Sequence, residues 1–308
     1  MRTGWGAAAV AVAAVVSVSA CSAGDGGEEP VKRYYVSLGD SLSVGIQPDE
    51  DGTPVETSEA YTDELYRMLY DRDSTLEHER MGCGGEDTTT FIEGGIEECD
   101  ALYDEGSQLA AAEAFLARNR DQVALVTVGI GGNNFTGCVS GGGGTDIDID
   151  TGCVDDGLQR IEEEASLIAE RLRTAAGPDV QIVGMTYYNP FVAALLLEGG
   201  EDPADSGDSG GQSNAQLAEY SADVLAEMND VLESSFAEAD IDVADVAAAF
   251  DSADFEVPAD SETGMPANVQ KVCDYTWMCN TSVGADIHTN QEGAVVIAEA
   301  FEEAGALR

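Results

Sequence analysis

Ser41 stands in Gly39-Asp40-Ser41-Leu42-Ser43, directly after a strand-like run, Tyr34-Tyr35-Val36-Ser37-Leu38. His288, one of two histidines in the chain, lies near the carboxyl end in Ala285-Asp286-Ile287-His288-Thr289-Asn290. A serine hydroxyl is a weak nucleophile at its own pKa and needs an adjacent base. A serine on a strand-to-helix turn and a distant histidine are therefore what nucleophilic acyl transfer requires. The other histidine, His78, sits in the charged run Glu77-His78-Glu79-Arg80 and is expected to be a solvated strand residue.

The elements that must bring the two residues together alternate in type. Strands are expected over residues 31–38, 75–81, 123–130, 180–187 and 241–247. Helices are expected over 60–71, 107–119, 155–176, 213–239 and 290–305. The run Val-Ala-Leu-Val-Thr-Val-Gly-Ile at 123–130 is apolar enough to be buried on both faces. Alternating βα units imply a single α/β domain: a central parallel sheet, of about five strands, between helical layers. Active sites in such sheets collect beyond the carboxyl ends of the strands. Ser41 follows the first strand, Gly84-Gly85 the second and Asn133 the third, so three candidate elements share one rim.

These segments resemble the blocks of the SGNH, or GDSL, hydrolase family. Gly39-Asp40-Ser41-Leu42-Ser43 looks like the first block. Gly82-Cys83-Gly84-Gly85-Glu86-Asp87-Thr88 looks like the second, with Gly85 at its glycine, and Gly129-Ile130-Gly131-Gly132-Asn133-Asn134 like the third. His288, followed by Asn290 and Gly293, resembles the histidine block. The four occur in order across most of the chain. Gly184 to Phe191 and Val272 to Cys279 look like the extracellular bacterial lipase and esterase branch. The resemblance implies a three-layer α/β/α fold, with Ser41 as nucleophile and His288 as base. It also implies an oxyanion hole from the Ser41 N–H, the Gly85 N–H and the Asn133 side-chain amide.

Two positions depart from the family pattern. Asn134 stands where an aspartate usually closes the third block, a change expected to alter local hydrogen bonding rather than catalysis. Three residues before His288 the family has aspartate, and here stands Ala285; the nearest carboxylate is Asp286, two before. Either Asp286 orients His288 or a backbone carbonyl does, leaving a Ser–His dyad. Tyr187, Tyr188, Phe191, Tyr275 and Trp277 could line an acyl pocket, with core packing expected for about half of them.

Residues 1–20 read as a secretory signal, with Arg2 ahead of an alanine- and valine-rich run. Val18-Ser19-Ala20-Cys21 resembles the bacterial lipobox, which implies a lipidated Cys21, a tether over residues 21–30 and a hydrolase domain over 31–308 at the outer face of a membrane. The six further cysteines of an exported chain read as disulfides, and sequence neighbours make the simplest pairing: Cys83–Cys99, Cys138–Cys153 and Cys273–Cys279.

The net charge is −47. Such a chain repels phosphate backbones, which argues against nucleic acid as a partner. It is also self-repelling, and the balance reads as adaptation to a salty medium, where molar salt screens charge beyond about 3 Å. Asp146, Asp148 and Asp150 alternate as calcium ligands can, but Thr151 stands at the sixth position, where a turn glycine is expected, and no glutamate stands at the twelfth. A solvated acidic loop is the preferred reading, and no metal or organic cofactor is expected. The acidic insertion 198–212 reads as a mobile loop, with a lid over the site as the alternative. Asn134-Phe135-Thr136 and Asn280-Thr281-Ser282 match the glycosylation pattern and are read as coincidence.

The resulting expectation is a monomeric, membrane-tethered serine hydrolase of lipid or small-molecule esters. Deacetylation of a polysaccharide and a non-catalytic binding lipoprotein are the alternatives.

Overall fold

The computed structural model describes residues 31–140, 148–198 and 214–306. The signal and lipobox readings, the 21–30 tether, Asp146, the Asp148 side chain and residues 199–212 of the acidic insertion lie outside the described residues. No described helix is long and apolar enough to cross a membrane.

Five parallel strands form the central sheet: β1 (Arg33–Gly39), β2 (Leu76–Arg80), β3 (Val123–Gly129), β4 (Gln181–Met185) and β5 (Asp242–Ala244). Their spatial order is β2-β1-β3-β4-β5. All seven residues of β3 are buried, as a central strand covered on both faces must be. The long helices are α1 (Tyr61–Tyr70), α3 (Gln108–Asn119), α4 (Thr151–Ala176), α5 (Asn214–Glu238) and α7 (Gln291–Glu303). Two shorter ones sit at the rim, α2 (Thr88–Glu93) and α6 (Ala267–Tyr275). α1 packs on α7, while α3, α4 and α5 pack successively on one another. The three-layer α/β/α sandwich is therefore the one expected.

The order reverses direction at β1: the chain steps outward to β2, then returns to the other side of β1 for β3. A crevice opens beyond the carboxyl ends of β1 and β3 at such a switch point. Gly39 and Gly129 face each other there in register. A Cβ on Gly39 would lie 2.2 Å from the Gly129 carbonyl oxygen, and its φ of +136° is one that side chains avoid. The close approach of the two strand ends therefore needs glycine at 39.

Three disulfides staple loops on this rim. Cys83–Cys99 holds the exit from β2, Cys138–Cys153 joins the segment after β3 to the start of α4, and Cys273–Cys279 closes the exit from α6. Loops of this length contribute about 2–3 kcal/mol each in the chain-entropy account.

α4 starts at Thr151, earlier than expected, because Asp150 caps it by accepting from the Cys153 N–H at 3.1 Å. α6 was not anticipated. Its apolar stripe is only Val269 and Val272, which pack on Val192 and Ala193 of the 3₁₀ segment Pro190–Glu198.

His78 corrects the sequence reading. Its side chain is buried rather than solvated, only 6 % exposed. Parallel pairing sets it beside Tyr35, and the rings stack with centroids 4.6 Å apart. Tyr66 of α1 covers its other face at 5.2 Å, and Ser37 Oγ lies 2.9 Å from Nε2. Burial, reinforced by the Arg80 charge, pushes the imidazole down to about 3. The unfolded chain, with an ordinary histidine near 6.5, takes up a proton that the folded chain refuses between those two values. Stability is therefore lost as pH falls from 6.5 towards 3. At pH 4.5 the difference amounts to about 3 kcal/mol. His78→Phe should remove this component: between pH 7.5 and 4.5 its denaturant midpoints should fall less than those of the wild type by an equivalent amount. Parallel pH profiles for the two proteins would sink the assignment.

Candidate active site

The turn after β1 is held by groups other than the Ser41 side chain. Gly39 donates its N–H to Gln108 Oε1 at 2.6 Å, and its carbonyl accepts from Gln108 Nε2 at 3.0 Å and from the Cys83 N–H at 3.0 Å. Gln108, the first residue of α3, is fully buried and clamps both polar groups of Gly39. Asp40 Oδ1 accepts from the Leu42 N–H at 2.9 Å, and Ser43 Oγ donates to the Asp40 carbonyl at 2.6 Å. Asp40 is buried, and Tyr187, just beyond β4, donates its hydroxyl to Asp40 Oδ2 at 2.6 Å. Burial pushes the Asp40 carboxyl up to about 6, against the lowering effect of the Tyr187 and Leu42 hydrogen bonds. Ser41 itself is left partly exposed at the rim.

His288 reaches Ser41 from the loop before α7. Its Nε2 lies 2.9 Å from Ser41 Oγ, and its Nδ1 lies 2.7 Å from Asp286 Oδ1. The same carboxylate oxygen accepts the His288 main-chain N–H at 2.8 Å, so a tight turn lets a residue only two positions away orient the ring. Burial alone would raise the Asp286 carboxyl, but the hydrogen bonds and charge of His288 prevail and hold it below the usual carboxylate range.

Several contacts fix this loop. Tyr188 donates its hydroxyl to the Ile287 carbonyl at 2.6 Å, and its ring stacks on Phe250, which meets Tyr275 edge-on. Trp277 donates its main-chain N–H to the His288 carbonyl at 3.0 Å, and its carbonyl accepts the Asp286 N–H at 3.2 Å. Of the five aromatics considered for an acyl pocket, Tyr187 and Tyr188 are therefore buried supports. Trp277 is half-buried and donates Nε1–H to Gln47 Oε1 at 3.2 Å. Tyr275 is half-buried and Phe191 is exposed.

The loops after β2 and β3 complete the rim. Gly85 is exposed and has a φ of +88°. A Cβ on its neighbour Gly84 would lie 3.9 Å from the Ser41 Cβ, so this turn runs beside the serine. Ile46 and Ile96 flank the two glycines. Asn133 lies in the 3₁₀ turn Gly132–Phe135 and donates from Nδ2 to the Glu86 carbonyl at 3.0 Å. That bond ties the β3 loop to the residue after Gly85 and uses one of the two amide hydrogens. Asn134 accepts the Thr88 N–H at 3.1 Å and donates to Thr88 Oγ1 at 2.7 Å, thereby joining the β3 loop to α2. An aspartate here could not make the second of these bonds. The Glu86 carboxyl is buried, with one oxygen lacking a hydrogen-bond partner, and burial pushes it up to about 7.

Gln108 is the site residue that sequence reasoning missed, and for Tyr187 and Tyr188, named there as pocket or core aromatics, it missed the hydrogen bonds to Asp40 and to the His288 loop. All three act through contacts 69, 147 and 99 positions away, and their own neighbours along the chain carry no sign of it. Among the described residues there is no cluster of potential ligands suited to a metal ion.

No protein-family model matches the chain, and no curated protein matches it in sequence. Solved structures do. A lipase from a goat-rumen metagenome is 15% identical with a TM-score of 0.50, over 90% of this chain and 99% of its own. Phospholipase A1 from Streptomyces albidoflavus is also 15% identical with a TM-score of 0.50, over 89% of this chain and 100% of its own. Likeness at this identity is one of fold: the chain shares the α/β fold of these two enzymes.

Proposed function

We propose that the chain is a serine hydrolase of carboxylic esters that works through an acyl-enzyme on Ser41. The observation that carries this reading is the unbroken line from Asp286 through His288 to Ser41, with steps of 2.7 and 2.9 Å. That the fold is shared with a lipase and a phospholipase supports it.

In this reading His288 Nε2 takes the Ser41 proton as Oγ attacks the acyl carbonyl. The N–H groups of Ser41 and Gly85 and the free hydrogen of the Asn133 amide hold the tetrahedral oxyanion. Each such donor contributes about 2.7–4 kcal/mol by deletion in well-studied hydrolases. Collapse expels the alcohol, which leaves with the proton from His288. Water, deprotonated by the same nitrogen, then releases the acid. Asp286 holds Nδ1 protonated so that Nε2 can accept, and stabilises the imidazolium that forms. The export signal, the lipidated Cys21 and the salt-adapted surface belong to the same proposal; three disulfides accord with folding in an oxidising compartment.

A fluorescent fluorophosphonate in molar sodium chloride tests the reading. The expected result is one label, mapped by peptide mass spectrometry to Ser41, with loss of p-nitrophenyl butyrate hydrolysis in step with labelling. A folded protein that takes no label, or takes it at another serine, would overturn the reading.

A further inference from the structure

We propose that, where salt is low enough to leave its charges unscreened, the site selects esters by charge: it accepts neutral and cationic esters and turns away anionic ones. This rests on the reading of Ser41 as the nucleophile and adds a substrate class to it.

The first observation is where the cations go. Of the 13 Lys and Arg residues, only Arg2 and Arg308 lie outside the described residues. Most of the rest sit at the end of the sheet away from Ser41. Lys32 and Arg33 precede or open β1, and others lie at or just beyond the carboxyl ends of α1, α3 and α4. Helix carboxyl ends in a parallel α/β fold face the amino ends of the strands. Five cations come nearer the rim: Arg67 reaches back along α1 to the Ser58 carbonyl at 2.7 Å, Arg118 pairs with Glu105 ahead of α3 at 3.5 Å, and three more are bound as follows. Arg80 donates to the Val44 and Thr57 carbonyls at 3.1 Å each. Arg160 donates to the Asn134 carbonyl at 2.9 Å, and Lys271 to the Tyr275 hydroxyl at 3.2 Å while lying over that ring. Among the described residues, then, each of these cations near the rim is held by a carbonyl, a hydroxyl or a carboxylate of the protein itself.

The second observation is what the rim carries instead. A small hairpin, Gln47–Pro48 with Pro54–Val55, bears exposed Asp49, Glu50 and Asp51 at its tip. Gly52 in that tip approaches the Val283 carbonyl of the His288 loop so closely that a Cβ would sit 2.8 Å from it. On the other side, exposed Glu97 and Glu98 follow Ile96, whose side chain lies against Gly85. Carboxylates therefore flank both the histidine side and the Gly85 side of the crevice. A cleft edged by a single sign of charge changes the arrival of charged substrates by about tenfold or more.

Three aryl acetates that differ in one substituent test this: 4-acetoxybenzamide, 4-acetoxybenzoate and 4-acetoxyphenyl-trimethylammonium. Phenol release gives kcat/KM, divided by each ester's hydroxide rate to remove leaving-group differences. At the lowest sodium chloride that preserves the circular dichroism, the benzoate should fall at least about tenfold below the benzamide. The cation should equal or exceed the benzamide. Raising the salt should close the gap, and so should E50K combined with E98K at fixed salt, with the benzamide rate unchanged. An anionic ester within twofold of the neutral one would overturn the proposal. So would a gap that neither salt nor charge reversal moves, since that would be discrimination by shape. If none of the acetates is hydrolysed and no fluorophosphonate label forms, the Ser41 reading itself falls and takes this one with it.

Discussion

Ser41→Ala should lower kcat for ester hydrolysis by about 10⁴–10⁶-fold while leaving the fold intact. The size follows from chemistry: without Oγ there is no acyl-enzyme, and only binding and the oxyanion donors remain to assist direct attack by water. The intact fold follows from the contacts. The turn hangs on the Gln108 clamp around Gly39, on Asp40 with Leu42 and Tyr187, and on Ser43 with the Asp40 carbonyl. The Ser41 hydroxyl itself meets His288 Nε2. Melting temperature and near-ultraviolet dichroism should therefore match the wild type. Adding His288→Ala to the serine variant should cost little more, because residues that act as one unit are not additive. Turnover retained in Ser41→Ala, after exclusion of contaminating esterase by active-site labelling, would remove Ser41 as the nucleophile.

The fold was legible because its main elements carry local periodic signals. The run over 123–130 can be little other than a buried strand, and β3 occupies 123–129. The expected helix over 107–119 is α3, starting at Gln108 with Ser107 as its cap, which accepts from the Ala110 N–H at 3.3 Å. Elements without a wide apolar stripe were the ones missed. α6 buries Asn268, Val269 and Val272, and its sequence looks like polar loop until Val192 and Ala193 are placed beneath it.

The same division runs through the site. Ser41, Gly85 and Asn133 could be placed on one rim because each follows a strand, and strand order does the rest. His78 could not be placed, because its environment is made by Tyr35 across the sheet and Tyr66 across a helix. A polar alternation such as Leu-Glu-His-Glu-Arg marks an edge strand and says nothing of the ring above it. The choice between Asp286 and a carbonyl was likewise open in sequence, since an aspartate two positions away reaches Nδ1 only if the chain turns tightly. Here the His288 N–H bonds the same carboxylate oxygen and closes that turn.

That turn makes Asp286→Asn the most informative substitution after the nucleophile. The expected loss in kcat/KM is about 10³–10⁴-fold near neutrality, with the structure little changed. An asparagine is nearly isosteric and its oxygen can still accept the His288 main-chain N–H. What it cannot do is hold a negative charge against Nδ1. The same oxygen faces Nδ1, so when the amide turns an N–H towards Nδ1 it gives up the main-chain bond, the ring proton moves to Nε2, and the nitrogen facing Ser41 can no longer accept. Asp286→Ala separates the two effects. It removes the charge and the turn bond but leaves the ring free to choose its tautomer, so it should be less damaging to the protonation state than asparagine even though it loosens the loop. The expected order of kcat/KM is therefore wild type, then alanine, then asparagine. The proton spectrum offers an independent check: a low-field Nδ1–H resonance in the wild type should be missing from both variants. A loss under tenfold in both would mean that the ring is oriented by the Trp277 and Tyr188 contacts to its loop, and that hydrolysis runs on a Ser41–His288 dyad.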